Sequence, residues 1–145
     1  MHFPEQVSRE DYDRISKRAL RLFLSVDIIN STALKQEFRE TGQSWIAMAH
    51  RFFTRFPNLL SANLAWNADR QGLRDIPAFE LWKAIGDELV FVAELEGMKD
   101  VPFLIEGFRD AINEWNEESE SAGVLVKGTA WLAGFSDLGA SRSWS

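Results

Sequence analysis

Leu22-Phe23-Leu24-Ser25-Val26-Asp27-Ile28-Ile29-Asn30-Ser31-Thr32 sets one carboxylate where an apolar run gives way to small polar residues. Val26, Ile28 and Ile29 branch at Cβ and favour extended backbone, so residues 20–29 read as a buried strand. Asn30, Ser31 and Thr32 offer side-chain oxygens suited to capping the helix that follows. A lone carboxylate in a buried strand is costly unless something pairs with it, so Asp27 calls for a cation or for the edge of the sheet. Free amides at the start of the next helix favour phosphate oxygens, and the helix dipole adds to that attraction.

A second segment, Lys83-Ala84-Ile85-Gly86-Asp87-Glu88-Leu89, has the same character. Apolar runs over residues 79–85 and 89–92 flank Gly86 and Asp87, which predicts a strand, a tight turn and a returning strand. Gly86 permits the turn and a close approach by a ligand. If this hairpin lies beside the first strand, Asp27 and Asp87 meet at one end of a sheet. There they can ligate hard divalent cations together with a backbone carbonyl, that of Ile28. Two carboxylates around two magnesium or manganese ions suit phosphoryl chemistry. Lys83, on the strand leading into the turn, is a candidate for base recognition, with surface snorkelling as its rival. Glu88 alternates away from Asp87 and reads as a surface or interface residue, while Trp82 and Trp131 read as core or interface aromatics.

Outward from these segments the pattern is of one domain. Residues 33–56 carry an apolar stripe at helical spacing, with Gly42 dividing it into a short and a longer piece. Pro57 is expected to break that helix, leaving residues 59–68 as a second helix or a docked loop. Residues 100–121 read as a helix with Asp100 as cap and Pro102 in the first turn. A last strand begins at residues 124–127 and continues past Gly128 over residues 129–135. Residues 1–19 form a lead-in, 20–135 the domain and 136–145 an irregular tail. Strand, helix, hairpin, helix, strand predicts an α+β fold of ferredoxin-like topology: a mainly antiparallel sheet with helices on one face.

Composition narrows the chemistry. With no cysteine, zinc-thiolate sites, iron-sulfur clusters, disulfides and cysteine nucleophiles are excluded. His2 and His50 leave little room for a histidine-based metal site. A formal charge of -6 opposes indiscriminate binding to nucleic acid or anionic membrane, yet permits a small basic pocket for one nucleotide. No apolar stretch reaches the length of a membrane span, so the expected location is cytoplasmic.

Val26-Asp27-Ile28-Ile29-Asn30-Ser31-Thr32 and Lys83-Ala84-Ile85-Gly86-Asp87 together resemble the catalytic domain of class III nucleotidyl cyclases. The wording around them is similar to the bacterial pyrimidine nucleotide cyclases of the Pycsar anti-phage system. That similarity rests on Phe23-Leu24-Ser25-Val26-Asp27, Leu81-Trp82-Lys83-Ala84-Ile85-Gly86-Asp87-Glu88 and residues 127–135. The resemblance implies that Asp27 and Asp87 hold two divalent cations, Mn2+ or Mg2+, and that Ile28 lends a carbonyl. It implies that Asn30, Ser31 and Thr32 meet the phosphates and that Lys83 contacts the base. It also implies a head-to-tail homodimer that converts UTP or CTP to the 3',5'-cyclic monophosphate, which acts on a separate effector. The family continues into a strand and helix supplying a transition-state asparagine and arginine, so the chain is expected to be C-terminally incomplete. Two rivals remain: an adenylate or guanylate cyclase, and a non-catalytic nucleotide-binding or dimerisation module. A diguanylate cyclase fits less well, because Ala84-Ile85-Gly86-Asp87-Glu88-Leu89 lacks the paired glycines of that hairpin.

Overall fold

β1 (Leu20–Ile28) is the strand around which the rest is arranged, with Leu22, Leu24, Val26 and Ile28 turned to one side and almost wholly buried. The computed structural model describes residues 20–134; the proposed lead-in, Phe135 and the proposed tail lie outside the described residues. After β1 come α1 (Ser31–Thr41), α2 (Trp45–Gln71), the hairpin β2 (Phe79–Ile85) and β3 (Glu88–Glu94), α3 (Asp100–Ser119), a 3-10 turn (Glu120–Ala122) and β4 (Val126–Gly134). The four strands form one sheet in the order β2-β3-β1-β4, each neighbouring pair antiparallel. This is the ferredoxin-like order that the sequence predicts.

All the helices pack on one face. Leu22, Leu24, Val26, Leu89, Phe91 and Ala93 meet Phe52, Phe56, Leu60, Leu64, Phe108 and Trp115 in a single core. The other face of the sheet carries Arg21, Phe23, Ser25 and Asp27 on β1, alternating with the core residues as pleat geometry requires.

The helical region corrects one expectation. Gly42 ends α1, as predicted: at φ 76° its conformation suits only glycine well, and the amide of Gln43 donates back to the Phe38 carbonyl at 2.8 Å. Pro57, however, does not break the chain, because α2 runs through it to Gln71. Phe52, Phe56, Leu60, Leu64 and Ala68 recur every four residues and are all buried. An interior proline costs about 3 kcal/mol. Burying each large apolar side chain contributes about 1.5–3 kcal/mol, so the continuous stripe outweighs the lost amide.

The start of β4 is fastened to α3 by side chains. The Trp115 indole, fully buried, donates to the Val124 carbonyl at 3.0 Å. Asn116 accepts from the Val126 amide at 2.8 Å and donates to the Val126 carbonyl at 3.2 Å. β4 begins at Val126, two residues later than the sequence reading has it, and continues past Gly128, which lies against Phe108 and Ile112 of α3.

Candidate active site on the open face of the sheet

The C-terminal end of β1 and the β2–β3 turn meet at the same edge. Gly86, at φ 60°, and Asp87 form a two-residue hairpin loop closed by the Ile85–Glu88 pair. A glycine with positive φ in the first loop position is what such tight hairpins require. The backbone amide of Ile28 donates to the carbonyl of Asp87 at 3.2 Å, which locks the turn to the residue after Asp27. In an antiparallel ladder a residue's amide and carbonyl point the same way, so the Ile28 carbonyl also faces the turn. The two aspartates and the carbonyl expected from sequence are thus brought to one place.

Asp27 lies directly across from Glu88 on β3 and from Lys127 on β4. Directly opposed residues share a face, so Glu88 turns toward Asp27 and not simply to the surface. The Ser25 hydroxyl donates to Glu88 Oε2 at 2.9 Å and holds it on this face. Burial pushes the Asp27 carboxyl above the ordinary carboxylate range; Lys127 draws it back, while Asp87 and Glu88 push it further up. A partly buried carboxylate beside two others is a place where a cation lowers the energy.

The helix that follows opens without a carboxylate in its first turn. Asn30 occupies the cap position at φ 54°, a conformation asparagine tolerates better than most residues, but its side chain makes no capping bond. The expected side-chain cap is therefore not formed; the Asn30 carbonyl instead accepts from the Leu34 amide at 3.0 Å. Asn30 and Thr32 are exposed and Ser31 half-buried next to the Asp27 edge.

Lys83 and Trp82 both lie on the open face. Leu81 pairs with Phe91 and Lys83 with Val90, so the strand is bulged at Trp82. A bulge sends two consecutive side chains to one side. The Trp82 ring meets Phe23 edge-on at 5.3 Å, and the Lys83 ammonium sits 4.2 Å from the centre of the Trp82 ring. Trp131 stacks on the other side of Phe23 at 5.3 Å, nearly parallel. The two tryptophans cover Phe23 but remain 52% and 42% exposed themselves, so they belong to this face and not to the helix-side core.

Ser25, Glu88 and Lys127 escape a sequence reading because strand register alone makes them neighbours of Asp27. Among the described residues no group of three or more histidine, cysteine, aspartate or glutamate side chains is arranged to hold a metal ion. Asp27, Asp87 and the Ile28 carbonyl are nonetheless all oxygen donors. Such a set fits Mg2+ or Mn2+, which keep waters and take further oxygens from a bound phosphate. His50 is exposed on α2. A cavity of about 350 Å³, lined by Leu73, Arg74, Lys99 and Phe103 among others, lies at the opposite end of the sheet.

The fold is shared with a bacterial light-regulated adenylyl cyclase: TM-score 0.51, 12% identity, covering 80% of this chain and 54% of that one. This chain therefore spans about half the length of the cyclase structure it matches. A dimeric ferredoxin-like protein from an uncultured marine organism is also similar, with TM-score 0.37, 11% identity and coverage of 81% and 94%. No protein-family model and no curated protein matches the sequence. The class defined by fold is thus α+β, ferredoxin-like, of the kind found in the adenylyl cyclase. No described helix is long and apolar enough to cross a membrane.

Proposed function

We propose that the chain is a nucleotidyl cyclase that converts a pyrimidine nucleoside triphosphate, UTP or CTP, to its 3',5'-cyclic monophosphate. The ribose 3'-oxygen bonds to the α-phosphorus, the bond to the β-phosphate oxygen breaks, pyrophosphate leaves and the hydroxyl proton is released. Asp27, Asp87 and the Ile28 carbonyl would hold two divalent cations, which when bound acidify the hydroxyl and neutralise triphosphate charge. Asn30, Ser31 and Thr32 receive the phosphates at the start of α1, and Lys83 donates to the base.

The observation that carries this reading is the convergence of Asp27 and Asp87 through the Ile28 amide bond to the Asp87 carbonyl. The resemblance of the two motifs to pyrimidine cyclases supports the choice of base, the cytoplasmic setting and a cyclic product that acts on a separate effector in anti-phage defence. A homodimer is part of the proposal, supported by the apolar surface that Ile85 and Trp131 leave exposed.

A second reading, a nucleotide-binding module without turnover, is favoured by the absence, among the described residues, of any group of three or more histidine, cysteine, aspartate or glutamate side chains arranged to hold a metal ion. Incubation with each of the four ribonucleoside triphosphates and Mn2+, followed by mass identification of products, separates the two. Cyclic UMP or cyclic CMP with pyrophosphate supports catalysis. Metal-dependent binding with no cyclic product supports the module.

A further inference from the structure

We infer that Trp82 is the residue on which the nucleobase stacks, and that the bulge in β2 exists to put it beside Lys83 on the same face. The inference rests on the nucleotide-site reading of Asp27 and Asp87 and adds a base-binding residue to it.

A regular strand would send Trp82 and Lys83 to opposite faces, but here Leu81 and Lys83 oppose consecutive residues of β3 and Trp82 is the extra one. The consequence is a flat aromatic surface next to a hydrogen-bond donor, both on the face that carries Asp27. Such a pair reads a base in two ways: stacking accepts any π-face, and the ammonium selects an edge with an acceptor. Lys83 lies two strands from Asp27 and two residues along, roughly 12 Å between backbones. A ribose together with the lysine stem spans that gap, so a base on Trp82 leaves its phosphates at the aspartates.

The Trp82 ring also shows what its free surface attracts. The Lys83 ammonium rests 4.2 Å from the ring centre, on an indole that is 52% exposed. A cation held by a π-face is displaced when a base covers that face, and the freed ammonium is then next to the base's edge. Phe23, wedged against Trp82 and stacked on Trp131, keeps the platform from folding into the sheet.

The test is calorimetric titration of the full chain and its Trp82→Leu and Trp82→Phe variants, in Mn2+, with UTP, CTP, ATP, GTP and inorganic tripolyphosphate. Leucine still covers Phe23 but offers no π-face. The expected result is a loss of roughly tenfold or more in nucleotide affinity for Trp82→Leu, substantial recovery in Trp82→Phe, and unchanged tripolyphosphate binding. Equal nucleotide affinity in wild type and Trp82→Leu overturns the inference, as does an equal loss for tripolyphosphate. It is also overturned if the variant shifts only the monomer–dimer equilibrium, which would make a second copy of the chain the occupant. Wild-type binding of tripolyphosphate but of no nucleotide more tightly overturns the Trp82 assignment and leaves the metal-phosphate reading standing. Wild-type binding of neither overturns both.

Discussion

The amide of Ile28 donates to the carbonyl of Asp87 at 3.2 Å, so the residue following one aspartate is bonded to the backbone of the other. The backbone positions from which the two carboxylates project are therefore set by a strand end and a two-residue turn, and not by a long loop.

Gly86 is the hinge of that arrangement. Its φ of 60° is strained for any residue with a Cβ, although no atom lies within 4 Å of the place a Cβ would take. Gly86→Ala should lower stability by about 1–2 kcal/mol in urea denaturation, with Gly86→Asn milder, because asparagine tolerates this backbone better. Equal stability of the alanine variant and wild type would show that the turn accommodates a side chain.

Asp27 should weaken the fold at neutral pH. Its carboxyl is held above the ordinary range, first by burial and then by Asp87 and Glu88 against the pull of Lys127. The folded chain thus holds the proton more tightly than the unfolded chain. The stability this contributes is complete below the unfolded value and is lost as pH rises through the folded one. Asp27→Asn should therefore melt a few degrees above wild type near neutral pH, with the gap closing at about pH 3. Mn2+ should raise the melting temperature of wild type and leave the variant unmoved. A variant less stable than wild type at neutral pH would reverse the assignment of burial as the main influence.

The attachment of β4 to α3 gives two further substitutions. Asn116→Ala leaves the Val126 amide without its side-chain acceptor and should cost about 1–3 kcal/mol. Gly128→Ala puts a methyl 2.5 Å from Ile112 Cδ1 and 2.6 Å from Phe108 Cε2, so it should cost about 1–3 kcal/mol through overpacking. Thermal melts monitored by circular dichroism check both; a neutral Gly128→Ala would mean that the Phe108 ring moves aside freely.

Much of the fold is legible in the chain because its signals are local. Cβ-branched runs, the Gly86-Asp87 turn and the stripe on α3 each announce an element within a few residues. Pro57 misleads, since the signal that overrides it is a buried stripe spread over 17 residues, from Phe52 to Ala68. The two aspartates are legible as strand-end and turn residues. Ser25, Glu88 and Lys127 are not, because their meeting depends on the register of β3 and β4 against β1, which no short window of sequence contains. The Trp82 bulge is hidden for the same reason: it exists only relative to its partner strand.

The central claim is that Asp27 and Asp87 act as one metal-triphosphate site. Cyclic nucleotide formation from UTP and CTP in Mn2+ should be measured for wild type, Asp27→Ala, Asp87→Ala and the double variant, with circular dichroism confirming the fold of each. The account predicts that either single substitution reduces product at least a thousandfold, roughly the loss seen when units of catalytic machinery are removed, and that the double variant is no worse than either single one. Wild-type product formation by either folded single variant would contradict it.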